Sequence, residues 1–546
     1  MNRSLAALAV LAVLAALLVV STWPLALAPV SQGFGLPGME AVDHLWALWA
    51  ASQDGPLIVD SALINFPTGY RWVLADPLNL PWFMLGALLG GPGLGWNMVA
   101  WAGMSIGALA SGLWARQLAP DQPGAPAVAA AAALTLAPMA GSLHTGMSEV
   151  LTMGWAALAL LGLWRLGPET AWARVLGVGV LCGLTAWGGP YTALYTAFGA
   201  LPLLAAGAWS SREALARWAA RLAAVVATGG LLAAPVAYAV VYARPPGLPG
   251  SDSSLPMVLA APGDPKNLML GAEPLALVWP LPGVEPKHAV FLGTLLVGLA
   301  LLGAARRRAW GPLLAVGTLC TLGLGFVLQS GGALVEAGGR PLGLPALWLS
   351  ELIPPLGRAA RWHRAVIPAG LILAGMAGAG AATIAGRAGR WRPLVLVVLA
   401  ALVAAEGLLR APLPWPRPTL EIAPPPGYAA LGPGAILPLP LTRFSSGDPN
   451  MLRSPSLLWQ TSHGHPMGGN PRQPGPGARD PSVAALAQRL LDGDETAAAP
   501  LAAVGFVWVL VQHSHDVRRL SPALGAPDVA EDGVWAWRLP APAQGM

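Results

Sequence analysis

The residues that could do chemistry in this sequence are first of all carboxylates and a histidine that follow a long apolar run. The stretch "MEAVDHLWALWA", residues 39–50, contains Glu40, Asp43 and His44. Glu40 and Asp43 are three residues apart, so on a helix they share one face. A carboxylate in such a place can take a proton from a hydroxyl group. Charged residues make up 10% of this chain, against about 25% in ordinary soluble domains, so an acidic residue beside an apolar run requires an explanation.

Three further stretches place polar residues beside apolar runs. "SLHTGMSEV" supplies His144 and Glu149, and "WGGPYTALY" supplies Tyr191. "PPLGRAARWHRAVIP" supplies arginines, which can stabilise the negative charge that grows on a departing phosphate. Together with a carboxylate base, they suit the transfer of a sugar from a lipid phosphate. The arginines of this set are Arg358, Arg361 and Arg364. The residues predicted to bind the substrate are these arginines together with Glu40, His44 and Tyr191.

Composition makes the chain a multi-pass membrane protein. It has 546 residues, 55% of them hydrophobic, and a mean hydropathy of +0.58, values that an ordinary soluble domain does not reach. The formal net charge is +5, but the arginines sit singly or in small groups between apolar runs, as topology signals do. This distribution excludes nucleic-acid binding.

Eleven apolar segments are close to the length of about 20 residues that a spanning helix needs. The shorter, proline-broken segment 78–91 is predicted to be a helix that lies at the outer interface of the membrane. The eleven predicted spans are residues 5–27, 96–115, 124–141, 149–165, 172–188, 192–209, 219–242, 289–305, 311–328, 364–386 and 393–409.

The distribution of arginines predicts the orientation of these spans. With a cytoplasmic N-terminus, every inner connection carries at least one arginine, such as Arg116 or the run from Arg306 to Arg308. The short outer turns 142–148 and 189–191 carry none. This asymmetry follows the positive-inside rule, and eleven crossings would place the C-terminal region outside the cytoplasm.

A change of composition after residue 410 predicts a separate C-terminal domain. A proline-rich, extended linker comes first. "AILPLPL", "VGFVWVLVQH" and "VWAWRLP" are then typical of strands, and "PSVAALAQRLLDG" is typical of an amphipathic helix. The predicted parts are a transmembrane domain, residues 1–410, with outer loops 28–95, 243–288 and 329–363; the linker, residues 411–434; and a small extracytoplasmic α/β domain, residues 435–546.

The centres of the predicted spans contain almost no ionisable residues. Ion-coupled transporters usually carry such residues at membrane depth. Here the polar groups gather at the outer ends of the spans, so we expect chemistry on the outer face.

The sequence resembles the GT-C superfamily of bacterial multi-pass membrane glycosyltransferases. The resemblance lies in an acidic residue in the first outer loop, interfacial helices, a second polar outer turn and a C-terminal periplasmic domain. "INFPTGYRWVLADPLNLPW", residues 64–82, is similar to a "yP-x-G … P" stretch of bacterial members. The resemblance implies a chain in the bacterial cytoplasmic (inner) membrane, a polyprenyl-phosphate-linked sugar donor, inverting transfer, and a glycan, lipid or protein acceptor.

The resemblance also implies roles for individual residues. Asp43 would be the catalytic carboxylate of the first loop, and Glu149 or His144 would form the second site. Some branches use a divalent ion, Mg²⁺ or Mn²⁺, for which Asp43 and Glu149 would be the ligands. This sequence has Asp-His where the family has Asp-Asp, Asp-Glu or Asp-x-Asp, so no metal site is assigned.

Structural roles are the alternatives for the same residues. Asp43 could cap an interfacial helix anchored by Trp46 and Trp49, and Glu149 could favour the positive end of a helix dipole. The arginines could contact lipid headgroups without specificity, and Tyr191 could be an interfacial anchor. At the level of the whole protein, the alternatives to an enzyme are a lipid or polysaccharide transporter and a membrane scaffold that binds a partner.

Overall fold

The computed structural model describes residues 3–36, 40–242, 290–305, 310–330, 333–353, 356, 361–409, 415–439, 455–468 and 481–541. The whole predicted outer loop 243–288 and the candidate residue Arg358 lie outside these ranges.

Helices make up most of the described chain. The helices are α1 (Arg3–Ser21), α2 (Ala41–Asp54), α3 (Leu80–Leu118), α4 (Ala125–Leu134), α5 (Ala137–Thr145), α6 (Ser148–Leu151), α7 (Met153–Trp164), α8 (Trp172–Trp187), α9 (Pro190–Ser210), α10 (Leu215–Tyr242), α11 (Thr294–Ala304), α12 (Trp310–Gly323), α13 (Pro345–Leu352), α14 (Val366–Gly386), α15 (Arg392–Leu409), α16 (Pro455–His463), α17 (Pro481–Leu491), α18 (Ala498–Val504) and α19 (Ser514–Leu524).

Six helical segments of the described chain are long and apolar enough to cross a membrane, and five shorter apolar helices have 10–17 residues. Each of the eleven predicted spans coincides with one of these segments, so the chain is a helical membrane protein as predicted, while the number of crossings stays a prediction. The six long segments are Pro77–Leu118, Ala125–Thr145, Pro190–Ser210, Arg212–Val241, Trp362–Gly386 and Gly389–Leu409.

The centre of the helical bundle is α14, which is buried along its length. It approaches α11 so closely that a Cβ atom added at Gly380 would collide with the carbonyl oxygen of Leu299, and one added at Gly303 with that of Met376. Small residues at such crossings let helix backbones approach each other, which is how apolar helices pack inside a membrane.

The helix α3 contains a break where the sequence predicts the end of a short helix. Gly90 and Gly91 have non-helical backbone angles, and Pro92 follows them. Gly91 has φ +82°, a conformation that glycine adopts without strain. The break separates the first ten residues of α3 from its long apolar part, so the predicted helix 78–91 is present; its position at a membrane interface stays a prediction.

A partly buried carboxylate joins α15 to the start of α11. The two carboxylate oxygens of Glu406 accept hydrogen bonds from the backbone N–H of Leu295 at 3.0 Å, and one of them accepts from Leu296 at 3.2 Å. The first N–H groups of a helix have no partner within the helix, and a negative charge is favourable at that end. Glu406 therefore serves as a helix cap supplied by another helix.

The strands form one four-stranded sheet and several two-stranded ones. The sheet order in the larger one is β11-β12-β10-β9, with β9 parallel to β10 and the other neighbours antiparallel. The strands are β1 (Gln32–Phe34), β2 (Ile58–Ser61), β3 (Tyr70–Val73), β4 (Gln329–Ser330), β5 (Ala333–Leu334), β6 (Glu336–Ala337), β7 (Arg340–Pro341), β8 (Thr419–Glu421), β9 (Ala435–Leu439), β10 (Phe506–Val511), β11 (Val529–Glu531) and β12 (Val534–Arg538).

The four-stranded sheet and the helices α16 to α19 form the C-terminal unit, the described residues after 415. The predicted strands correspond to β9, β10 and β12, and the predicted amphipathic helix is α17, so these four predictions are confirmed. Between the sheet and its helices lies an apolar core that includes Leu490, Leu501 and Val509.

The proline-rich segment before this sheet pairs with the beginning of the chain. Its strand β8 is antiparallel to β1, with Leu420 opposite Gly33. The indole N–H of Trp415 donates to the carbonyl oxygen of Val20 at 2.9 Å. The described part of the predicted linker is therefore held against the first loop, residues 28–95.

Candidate functional site

Asp43 lies in the first turn of α2, and its side chain is buried. The residue at the N-cap position of this helix is Glu40, so the alternative that Asp43 is the N-cap is wrong. The turn that ends α5 packs directly on the start of α2, because a Cβ atom added at Gly146 would collide with Ala41. Gly146 has φ +77°, a backbone conformation that glycine adopts without strain.

The prediction that Trp46 anchors α2 at the membrane interface is wrong. Its side chain is fully buried, and its ring lies 4.9 Å from that of Trp72. The indole N–H donates to Gln460 of α16 at 2.6 Å. Protein, rather than the membrane interface, surrounds this face of α2, because the C-terminal unit packs against it.

The neighbour of Asp43 in the chain, His44, joins a buried chain of hydrogen bonds. The Nδ1 atom of His44 lies 3.1 Å from the hydroxyl of Ser148, and that hydroxyl donates to the carboxylate of Asp76. Since a hydroxyl has one proton to donate, the bond from His44 requires Nδ1 to be the protonated nitrogen. Asn79 donates to Asp76 at 2.9 Å and to the carbonyl oxygen of Ser148 at 2.9 Å.

Asp76 is a residue that the sequence-based reasoning missed. It is 1% exposed and precedes the short helical turn Pro77–Asn79. Burial raises the pKa of its carboxyl above the ordinary value of 3.8, while His44 and the hydrogen bonds from Ser148 and Asn79 act in the opposite direction. A raised pKa makes a carboxylate a stronger base, so Asp76 is a second candidate for proton transfer.

Glu149 forms a buried ion pair with Arg364. Both side chains are largely enclosed, at 15% and 4% exposed. The second guanidinium nitrogen of Arg364 lies 3.1 Å from the sulfur of Met147, and its carbon atom lies 5.0 Å from the centre of the Tyr191 ring. Tyr191, predicted to bind substrate, thus contacts an arginine through a cation–π interaction.

Arg361 occupies a more open position at the same end of the bundle. Its side chain is 21% exposed, and a guanidinium nitrogen lies 4.0 Å from a carboxylate oxygen of Glu40. The backbone carbonyl of Arg361 accepts a hydrogen bond from the hydroxyl of Tyr195 at 2.5 Å. Arg361 therefore has a fixed backbone and a side chain that a ligand can reach.

His144 has a different environment from the other predicted residues. It is buried near the end of α5, and its carbonyl accepts a hydrogen bond from the backbone N–H of Leu36 at 2.8 Å. Arg417, whose side chain lies by the carbonyl oxygen of Ser21, is close enough to act electrostatically on the His144 ring. His144 thus interacts with Arg417, just before β8, and among the described residues no hydrogen bond or ion pair joins it to Glu149.

The structure thus brings most of the predicted residues into one set of contacts. Glu40 pairs with Arg361, His44 with Ser148, and Glu149 with Arg364, which lies over Tyr191. Ser148 and Glu149 are neighbours in the chain, as are Asp43 and His44, so the start of α2, the short helix α6 and the turn before α14 meet at this place.

Asp43 and Glu149 are the predicted ligands of a divalent metal ion, if one is used. Among the described residues, no group of three or more His, Cys, Asp or Glu side chains could hold one. Glu149, the second predicted ligand, is paired with Arg364. A requirement for Mg²⁺ or Mn²⁺ stays a prediction of the family resemblance.

Two histidines of the C-terminal unit, His463 and His465, take part in stacked aromatic contacts. The ring of His463 lies 5.2 Å from that of Tyr428 and 5.1 Å from that of His465. Burial lowers the pKa of His463 to about 4, with a smaller contribution from His465. These contacts place both side chains in the packing of the C-terminal unit.

Searches with the sequence find no matching protein-family profile and no matching curated protein. Solved structures, however, match the fold over the whole chain. The crystal structure of ArnT from Cupriavidus metallidurans bound to undecaprenyl phosphate aligns with a TM-score of 0.53 at 15% sequence identity and covers 100% of both chains. The apo structure of the same ArnT aligns with a TM-score of 0.50 at 14% identity and covers 98% of both chains.

At this level of identity the comparison shows the fold. The chain therefore has the fold of ArnT.

Proposed function

We propose that this protein is a membrane glycosyltransferase that transfers a sugar from a polyprenyl-phosphate-linked donor to an acceptor on the extracytoplasmic face. The observation that carries the proposal is the meeting of carboxylates and arginines at one end of an apolar bundle. Asp43, Asp76 and Glu149 supply acidic groups, and Arg361 and Arg364 supply cations. The fold of ArnT, a protein solved with undecaprenyl phosphate, supports a lipid phosphate as the donor's carrier.

Arg361 and Arg364 have different roles in this proposal. Arg364 is buried and already paired with Glu149, so its charge is used inside the protein. Arg361 is partly exposed, and 4.0 Å separates it from Glu40, a distance at which a phosphate could compete for the guanidinium. Arg361 is therefore the group that binds the donor phosphate, and a guanidinium can bind two phosphate oxygens at once.

The reaction is a single displacement at the anomeric carbon of the sugar. A carboxylate takes the proton from the acceptor hydroxyl while its oxygen attacks that carbon. The bond between the carbon and the phosphate oxygen breaks, and its electron pair stays on the lipid phosphate, where Arg361 stabilises the charge. One displacement inverts the configuration of the sugar, and the acceptor is a hydroxyl of a glycan, lipid or protein.

Asp43 is the base of this proposal, and Asp76 acts behind it. The hydrogen-bond chain from Asp76 through Ser148 to His44 fixes the position of His44, the residue next to Asp43. It also makes Asp76 a second carboxylate that can accept the proton. Asp76 is enclosed by Ser148 and Asn79, whereas Asp43 lies at the start of the helix that bears Glu40.

Purified protein in lipid nanodiscs tests the proposal with a panel of polyprenyl-phosphate-linked sugars and membrane extracts as acceptors. Mass spectrometry should detect release of polyprenyl phosphate in equal amount with transfer of the sugar. Asp43→Asn should abolish both signals. Transport of the lipid-linked sugar across a vesicle membrane without transfer, undiminished in Asp43→Asn, would instead establish a transporter.

A further inference from the structure

Gln460 is a fully buried residue whose side chain joins two distant parts of the chain. Its amide oxygen accepts a hydrogen bond from the indole N–H of Trp46 at 2.6 Å. Its amide nitrogen donates to the carbonyl oxygens of Leu63 at 2.6 Å and His465 at 2.7 Å. Both amide protons of Gln460 are thus used, and the residue links α16 of the C-terminal unit to the first loop.

The first of these links reaches the helix of the proposed base. Trp46 follows Asp43 by three residues in α2, so the two side chains are neighbours on the helix surface. Trp46 is fully buried and packs on Trp72, and α16 packs along α2. A rotation or a shift of α2 would therefore break the contact with Gln460.

The second link reaches the segment that leads to Asp76. Met467 of the C-terminal unit donates a backbone hydrogen bond to Leu63 at 2.8 Å and accepts one from Phe66 at 3.0 Å. The ring of Phe66 meets that of Phe506 edge to face at 5.2 Å. These bonds fix the loop between β2 and β3, and the chain continues from β3 directly to Asp76.

We propose that the C-terminal unit is a positioning element for the catalytic carboxylates, and that Gln460 is its positioning residue. This inference rests on the proposed glycosyl transfer. A displacement of about 1 Å can cost about 10²-fold in rate, and catalytic groups need support from residues that are themselves held by packing and hydrogen bonds. Gln460 supplies that support from inside the interface, without touching either substrate.

Three variants test the inference with one matched control. Trp46→Phe removes the indole N–H and retains an aromatic ring, Gln460→Met removes the amide, and the third variant combines both. The control is Trp114→Phe, because Trp114 is also fully buried and donates its indole N–H to the carbonyl of Ala157 at 2.9 Å, within the helical bundle.

Two kinds of measurement are required for each full-length variant. The first is kcat and KM for the lipid-linked donor, normalised to folded protein. The second is hydrogen–deuterium exchange of residues 41–54, which reports the local stability of α2 whether or not a donor is known.

In Trp46→Phe and Gln460→Met we expect kcat to fall by about 10- to 100-fold with little change in KM. Exchange in α2 should become faster by about fivefold, as for the loss of one hydrogen bond. The double variant should lose no more activity than Gln460→Met alone, since Gln460→Met already removes the bond that Trp46→Phe removes. Trp114→Phe should leave kcat and exchange in α2 unchanged.

Unchanged kcat in both single variants would overturn the inference, and so would a loss that disappears after normalisation to folded protein. If Gln460→Met fails to fold, the kcat of Trp46→Phe alone tests the inference. Absence of glycosyl transfer in the wild-type protein, with faster exchange of α2 in the variants, would disprove the proposed function and leave a structural link with no catalytic role.

Discussion

The guanidinium of Arg364 lies over the ring of Tyr191, with 5.0 Å between its carbon atom and the ring centre. The same guanidinium pairs with Glu149. A charge that is paired and covered in this way is costly to expose or to leave without its partner. Arg364 is therefore a structural part of the site. Of Arg361 and Arg364, which the sequence predicts to bind the substrate, only Arg361 binds it directly in our proposal.

Breaking the buried ion pair should destabilise the protein strongly. Removing one partner of a buried pair costs about 3–5 kcal/mol, so Glu149→Gln should lower the Tm markedly in a thermal unfolding assay. The control is the exposed pair between Arg217 and Glu169, whose side chains are 63% and 73% exposed. Glu169→Gln should cost at most about 1 kcal/mol; equal shifts in the two variants would contradict the structural role of Arg364.

Replacing the proposed base should stop the reaction and spare the fold. Loss of a general base costs about 10²–10⁴-fold in rate, so single-turnover transfer by Asp43→Asn should fall by that factor at an unchanged Tm. Asp76→Asn is the informative companion variant. If Asp43→Asn retains wild-type turnover while Asp76→Asn does not, the base is Asp76 and Asp43 has a structural role.

Removing the accessible arginine should weaken use of the donor. Arg361→Ala loses charge-assisted hydrogen bonds to a phosphate, each worth about 1.5–3 kcal/mol, so KM for the donor should rise by about 10- to 100-fold. Arg361→Lys, which keeps the charge but cannot bind two oxygens in the same plane, should recover part of the loss. An unchanged KM in Arg361→Ala would place the phosphate elsewhere.

Protonation of His463 at acidic pH should destabilise the C-terminal unit. Its pKa is lowered from 6.5 to about 4 in the folded protein, so the unfolded state binds a proton more readily. The stability it contributes is present above pH 6.5 and is lost as pH falls toward 4. Unfolding curves of wild type and His463→Phe between pH 7 and pH 4 should converge or cross as pH decreases, and parallel curves would show that His463 does not titrate in this way.

The predicted topology can be tested independently of activity. Reporter fusions after Arg308 and after Pro414 should report opposite sides of the membrane, with the first in the cytoplasm, because the run of three arginines favours the inner side. A fusion after Arg116 should agree with the one after Arg308. If the fusions after Arg308 and Pro414 lie on the same side, the site does not face the side that we propose.

Local sequence patterns were sufficient for most of the elements. Apolar runs of the right length predicted the positions of the membrane helices, and alternating apolar residues predicted β10 and β12. The predicted end of the short helix 78–91 coincides with the break in α3 at Gly90 and Gly91, because these glycines and the following Pro92 disfavour a continuous helix.

The site could be predicted only in part, because burial depends on residues far away in the chain. Asp76 was missed since an Asp-Pro pair is typical of a turn, and only its contacts with Ser148 and Asn79 show that it is enclosed. Trp46 was wrongly placed at the membrane interface for the same reason. The aromatic pattern of α2 gives no sign that a helix from the C-terminal unit covers it.

The contact between Trp46 and Gln460 also has a consequence for biosynthesis. The two residues are 414 positions apart, and a ribosome needs about 20–80 s to translate that distance at about 5–20 residues per second. During this interval α2 has been made but α16 does not yet exist. A chain that is still being translated therefore lacks the support that Gln460 gives to α2. If Asp43 in α2 is the base as we propose, premature termination before residue 460 should leave a product without transferase activity.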